Sequence, residues 1–328
     1  MWSTLKCALL LGAIVVDATP FLKGKSKNSA AQISAIDSDQ LSQLEHFSQW
    51  AKAAYCYGNV QGGNTKVECS NSNGTCPLVE TASTSIIAPF VQGESDTKGF
   101  VAVDDTNKMI VVSIQGTARK SNFDSVLTDL KIARVKTDLC KTANTKDGCE
   151  VHKGFYKAAM DVQGIVQGNV TAALASHPDY KVIVTGHSLG AAIAALLATM
   201  IRNAGTNVDL YNYGQPHLGT TDIANYIQSQ APSKGSNFRV THFNDPVPQL
   251  PPHDLGNWDH FYPEFWIKIN TGTVAATDVD QINATLYTKA GNEGQTSKFG
   301  PLVDIAEHVG AHRLYFGTIP GCRSLPPT

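Results

Sequence analysis

The chain has 328 residues, 42% of them hydrophobic, and its 26 basic and 28 acidic side chains leave a formal net charge of −2. That length and apolar content can bury one large core, as in a single-domain α/β enzyme. The near-neutral charge excludes an electrostatic case for nucleic acid or an anionic membrane surface, and no apolar run reaches the roughly 20 residues of a membrane-spanning helix.

At the N-terminus, Lys6 supplies a positive start and Cys7 to Val16 a short apolar run. Val16-Asp17-Ala18 then offers a small-residue cleavage site. Residues 1–18 are therefore expected to be a signal peptide, and the protein to be secreted. Residues 19–36 are polar and aperiodic, with Lys23, Lys25 and Lys27, and predict a flexible extension or a propeptide. Residues 37–328 are expected to form one domain.

That domain opens with a helix. Asp37 and Ser38 are good N-caps, and Leu41, Leu44, Phe47, Ala51 and Ala54 recur at helical spacing. A Gly/Asn/Ser-rich loop follows over residues 58–77. β-rich runs then occur at Gly99–Val103, Met109–Ile114, Lys181–Thr185, Val208–Tyr213, Phe238–Phe243 and Phe265–Ile269. Helical patterns lie at about 154–176, 188–204 and 220–230. Strands alternating with helices predict a mostly parallel or mixed sheet covered by helices.

Seven cysteines are present, one of them inside the expected leader. The rest are Cys56, Cys69, Cys76, Cys140, Cys149 and Cys322, an even set that suits an oxidising compartment. Counting does not choose among the possible pairings, although Cys69/Cys76 and Cys140/Cys149 each bracket a polar loop. Three sequons, at Asn73, Asn169 and Asn283, agree with secretion. No Cys-x-x-Cys spacing favours zinc, and no metal or cofactor is expected.

The strongest local signal runs from Lys181 through Gly186-His187-Ser188-Leu189-Gly190 into Ala191 to Ala198. A β-branched strand enters a Gly-x-Ser-x-Gly turn and an Ala/Leu-rich helix leaves it. This is the strand–turn–helix context of a nucleophile elbow. A chance match to so short a pattern would lack those flanks. A serine hydroxyl needs a base, and the base an orienting carboxylate. Asp245 follows a strand and is hemmed by Pro246 and Pro248, whereas Asp222, Asp254 and Asp259 sit in less constrained settings. An Asx-turn is the plainer use of an Asp before Pro. Two histidines compete as base, His308 and His312. Their i, i+4 spacing is that of a zinc helix, but Val309 stands where a metalloprotease needs Glu. The residues alone leave the choice between them open.

Taken together, the chain resembles the fungal class 3 lipases, an α/β-hydrolase family that includes fungal feruloyl esterases. The resemblance rests on Ala53-Ala54-Tyr55-Cys56, Gln115-Gly116-Thr117, Glu150 to Phe155, and His177-Pro178-Asp179-Tyr180. It continues through the elbow, Tyr213 to Gly219, Thr241 to Pro252, and Ala311 to Gly317. It implies an α/β-hydrolase fold with Ser188 as nucleophile, Asp245 as acid and His312 as base. The backbone N–H groups of Thr117 and Leu189 are implied as the oxyanion hole. The implied disulfides are Cys56–Cys322, Cys69–Cys76 and Cys140–Cys149. The lid is implied at Ala118–Leu130. There Phe123, Val126 and Leu127 share a helical face opposite Lys120, as suits opening at a lipid surface. A core-packing helix would show the same stripe. The expected reaction is hydrolysis of acylglycerols or other long-chain esters at an oil–water interface. A feruloyl esterase and a catalytically inactive, lipase-like binding protein are the alternatives.

Overall fold

The computed structural model describes residues 31–62, 65–69, 76–117, 132–141, 149–285, 287–295, 310–319 and 322. In chain order the elements are β1 (Gln32–Ala35), α1 (Ser38–Ala53), α2 (Tyr57–Gln61), α3 (Pro77–Thr81), β2 (Thr84–Gln92), β3 (Thr97–Asp104) and β4 (Met109–Ile114). Next come β5 (Arg134–Thr137), β6 (Cys149–His152), α4 (Lys153–Ser176), β7 (Lys181–His187), α5 (Leu189–Asn203), β8 (Val208–Tyr213), β9 (Gly219–Thr220) and α6 (Thr221–Gln230). The last are β10 (Asn237–His242), β11 (Trp258–Asp259), β12 (Glu264–Ile267) and β13 (Val279–Asn283).

Among the described residues, nine strands form the main sheet in the order β1-β13-β12-β10-β8-β7-β4-β3-β2. The central five, β12, β10, β8, β7 and β4, are parallel neighbours, and antiparallel strands close both ends. This is the expected mixed sheet of an α/β-hydrolase, with apolar layers on both faces. On one face α4 and α5 pack over Val112, Val184 and Leu210; on the other, α1 packs over Val111, Ile183 and Tyr211. Helix α5 is buried continuously from Gly190 to Arg202. Its alanines let it lie close to the sheet. Fully buried Leu196 and Leu197 each contribute about 1.5–3 kcal/mol relative to exposure.

The structure departs from the expectations at three places. Within the predicted extension, Gln32–Ala35 form an edge strand that pairs antiparallel with β13. Its residues are all exposed, so no hydrophobic alternation announces it. Strand β2, interrupted by Pro89 and by a register shift between Ile86 and Ala88, was also not expected. A second sheet, β11-β9-β6-β5, consists of runs too short to show a period. The signal segment lies outside the described residues. Helix α1 begins as expected, with Asp37 accepting from the backbone of Gln40.

All three disulfides form in the implied pairing, Cys56–Cys322, Cys69–Cys76 and Cys140–Cys149. Of the sequons, Asn73 lies outside the described residues. Asn169 is half-buried within α4, where its amide donates to the Ile165 carbonyl at 2.8 Å. Asn283 ends β13.

Candidate active site

The turn from β7 to α5 holds Ser188 at φ 60° and ψ −130°, a conformation that L-residues adopt only under constraint. The constraint is close packing. A Cβ on Gly190 would lie 2.4 Å from the Ile114 carbonyl oxygen, and one on Gly186 would lie 2.4 Å from the Gly190 carbonyl oxygen. The Ser188 N–H donates to the Tyr213 carbonyl at 2.9 Å, which pins the turn to β8. The Ser188 side chain makes no capping bond to α5. Its hydroxyl is thus left at the positive end of a helix and is not spent on the backbone.

Asp245 follows β10 in a tight turn, its N–H donating to the His242 carbonyl at 2.8 Å. The side chain is fully buried and well supplied with donors. Oδ1 accepts from the Val247 N–H at 2.9 Å. Oδ2 accepts from His312 Nδ1 at 2.7 Å and from the Tyr315 hydroxyl at 2.5 Å. The Asn292 amide donates to the Asp245 carbonyl at 3.0 Å and to that of Phe243 at 3.1 Å. Three donors thus meet this buried carboxylate, and Asn292 secures the backbone around it. The same burial, with Asp245 alongside, pushes the Tyr315 phenol well above its ordinary pKa, so Tyr315 stays a donor.

His312 sits in a short helical turn, Ala311–Arg313, and is also fully buried. Its Nδ1 must carry the hydrogen given to Asp245, which leaves Nε2 with the lone pair. His187, next to the serine, connects this histidine to the elbow. Its Nε2 lies 2.8 Å from the His312 carbonyl oxygen, an atom that can only accept, so Nε2 donates. Its Nδ1 therefore accepts from the Tyr55 hydroxyl at 2.9 Å. Burial, then the neighbouring His312, hold His187 well below the usual imidazole pKa, so it is neutral. The two imidazoles face each other with centroids 4.5 Å apart.

Gln115, Gly116 and Thr117 leave β4 beside the elbow, because β4 pairs with β7 up to Ile114 opposite Gly186. A Cβ on Gly116 would lie 2.3 Å from the Tyr55 hydroxyl and 3.2 Å from Ser188 Cβ. Only a glycine lets this strand end come so near the serine. Thr117 and Leu189 are both half-buried on that side. The residues expected to form the lid, Lys120, Phe123, Val126 and Leu127, lie outside the described residues, as does His308.

Thus Ser188, Asp245, His312, Thr117 and Leu189 converge on one end of the parallel strands. Reading the sequence had given no role to Tyr55, Tyr315 or Asn292. Tyr55 and Tyr315 stand inside motifs noted for the resemblance, and a tyrosine three residues after a candidate base is a signal that could have been used. Asn292 carries no such mark. A cavity of about 790 Å³, lined among others by Gln40, Phe238, Tyr262 and Gln281, includes none of these site residues.

Residues 111–255 match the family described as lipase (class 3). The chain is 34% identical over 286 residues to secreted mono- and diacylglycerol lipase A of Penicillium cyclopium, spanning 86% of each protein. To secreted mono- and diacylglycerol lipase 1 of Fusarium solani it is 36% identical over 232 residues, 71% of this chain and 65% of that one. The crystal structure of the mono- and diacylglycerol lipase from Aspergillus oryzae superposes with a TM-score of 0.73 at 34% identity. That superposition covers 86% of this chain and 98% of the other.

Proposed function

The chain belongs to the class 3 lipase family, and from that premise we propose how Ser188, His312 and Asp245 cleave acylglycerol esters. The protein is a secreted carboxylic ester hydrolase, a lipase. Its relatives are named for mono- and diacylglycerols, and partial glycerides are the substrates we assign to this chain. Those names do not favour the feruloyl esterase reading. The inactive reading would need a missing triad member, and none is missing.

In the proposed reaction, Ser188 Oγ attacks the ester carbonyl carbon as His312 Nε2 takes its proton. The Asp245 carboxylate neutralises the imidazolium. The bond to the glycerol oxygen then breaks, and the imidazolium returns its proton to that oxygen. Water attacks the acyl-Ser188 by the same steps and releases the fatty acid. The N–H groups of Thr117 and Leu189 hold the oxyanion of each tetrahedral intermediate. The close approach of Gly116 to Ser188 supports that role. Losing one such donor costs about 3–4 kcal/mol in comparable sites.

Access is proposed to be gated by Ala118–Leu130 at a lipid surface. Ile132 and Leu255 support this, being 55% and 56% exposed. The Arg134 guanidinium, donating to the Gly256 carbonyl at 2.6 Å, ties their two segments together.

The observation that carries the reading is the strained Ser188 elbow beside the Asp245–His312 pair. Its test is a side-by-side rate measurement on an emulsified long-chain diacylglycerol, a triacylglycerol and methyl ferulate, for the wild type and Ser188→Ala. The glycerides should be preferred, and the folded variant should be inert on all three. A folded Ser188→Ala with wild-type turnover would end the assignment of the nucleophile. Preference for methyl ferulate would end the lipase reading.

A further inference from the structure

The cavity of about 790 Å³ lies at the opposite end of the sheet from the active site. It takes in Asn237 and Phe238 at the start of β10, whereas Asp245 follows the end of that strand. The 6 residues of β10 separate the two ends by about 20 Å at the usual rise of a strand.

Strand register builds one wall. Val240 pairs with Phe265, Phe265 with Gln281, and Asn283 with Gln32. Residues two apart share a face, so Phe238, Phe265, Gln281, Asn283 and Gln32 stand on one side of the sheet. The first turn of α1 brings Gln40 to the same cavity. Gln228 of α6 braces it from below. Its Nε2 donates to the Ala284 carbonyl at 3.0 Å, and its Oε1 accepts from the Tyr262 N–H at 3.0 Å.

The lining holds carboxamides, aromatic rings, prolines and small residues, and no charged side chain. It offers nothing to neutralise a phosphate, a fatty-acid carboxylate or a metal ion. It suits a neutral ligand with hydroxyl and amide groups and apolar C–H faces, which is the chemistry of a sugar. Each carboxamide supplies both donors and an acceptor, and aromatic rings supply apolar contact. The volume falls in the range of about 300–1,000 Å³ that holds small ligands.

Two features of the lining point to the occupant. Gln40 Nε2 is buried with no hydrogen-bond partner among the described residues, so the cavity presents a donor that needs an acceptor. Asn283, half-buried in the lining, opens the sequon Asn283-Ala284-Thr285, whose Thr285 is exposed. At the sequon in α4, by contrast, the Asn169 amide is turned back on its own helix, donating to the Ile165 carbonyl. No such bond ties the Asn283 amide among the described residues.

We propose that Asn283 carries an N-linked glycan whose first sugar, N-acetylglucosamine, is seated in this cavity. Its acetamido carbonyl accepts from Gln40 Nε2, and its ring lies against Phe238. Carrying the register of β10, β12 and β13 back by one residue sets Phe238, Pro263 and Asn283 in one row. Asn283 and Phe238 are then two strand spacings apart, about 9–10 Å, a gap that an asparagine side chain and one sugar ring fill. The linkage is made during secretion, with a lipid-linked oligosaccharide diphosphate as donor. Asn283 Nδ2 bonds to the sugar C1 and gives up one proton, while the C1–O bond breaks and the diphosphate leaves with its electron pair. The seated sugar also covers the end of β1. That strand buries no side chain, and its ladder to β13 begins at the Gln32–Asn283 pair.

The test uses the full-length protein secreted from a yeast. Enzymatic release of glycans in heavy-oxygen water, followed by peptide mass spectrometry, should mark Asn283 as occupied. Trimming by an endoglycosidase that leaves one N-acetylglucosamine should keep the Tm of the intact glycoform. Thr285→Ala removes the sequon and leaves the cavity whole. It should lower Tm by a few degrees and speed hydrogen exchange in Gln32–Ala35. Gln40→Ala should destabilise the glycosylated protein but not the Thr285→Ala background, because its donor has a partner only when the sugar is present. An unmodified Asn283 would overturn the proposal. So would additive effects of Gln40→Ala and Thr285→Ala, or a trimmed form no more stable than Thr285→Ala, since the glycan would then stand in solvent outside the cavity.

Discussion

The Tyr315 hydroxyl donates to Asp245 Oδ2 at 2.5 Å, sharing that oxygen with the bond from His312 Nδ1. One carboxylate oxygen thus holds both the proposed base and a buried phenol. The phenol fixes the plane of the carboxylate and so the aim of the imidazole.

Tyr315→Phe removes that donor and little else. A hydrogen bond to a charged group contributes about 1.5–3 kcal/mol, so the variant should lose about that much stability and roughly tenfold in kcat. KM should change little. Chemical denaturation and steady-state kinetics on a soluble ester check both. An unchanged kcat would mean that Tyr315 is only packing.

His312 and His308 are separated by single alanine substitutions. With Asp245 bonded to His312 Nδ1, loss of several orders of magnitude in kcat is expected only for His312→Ala. The reverse result, measured on a soluble short-chain ester, would move the base to His308.

The Cys56–Cys322 bond spans 266 residues, and so closes nearly the whole domain. In the chain-entropy account such a loop contributes about 5–6 kcal/mol. The double variant Cys56→Ser/Cys322→Ser should show that loss in denaturant unfolding, with the hydrolysis rate on a soluble ester preserved at low temperature. Removing Cys69–Cys76, whose loop spans 7 residues, should cost less.

Phe123→Ser with Val126→Ser tests the gate. If those side chains pass from covering the site to contacting lipid, their apolar area is worth a few kcal/mol at about 25 cal/mol per Å². Activity on emulsified long-chain esters should fall, and hydrolysis of a short soluble ester should hold. Equal losses on both would make the segment part of the core.

Much of this protein is determined by local sequence. The β-branched run into Gly186–Gly190 and the Ala/Leu helix after it can be satisfied only by a buried strand, a strained turn and a buried helix. All three are present. Periodicity likewise marks α1, α4 and the inner strands, because a buried face repeats at the period of its element. Only the tertiary structure decided the rest. Edge strand β1 depends on pairing with β13, and its exposed residues carry no period. The proposed base His312 bonds a carboxylate 67 residues away, which Tyr315 also holds, and its backbone carbonyl is held by His187, which is anchored on Tyr55. Hydrogen bonds between side chains depend on distance in space, and a linear pattern carries that information only where chain neighbours are also neighbours in the fold.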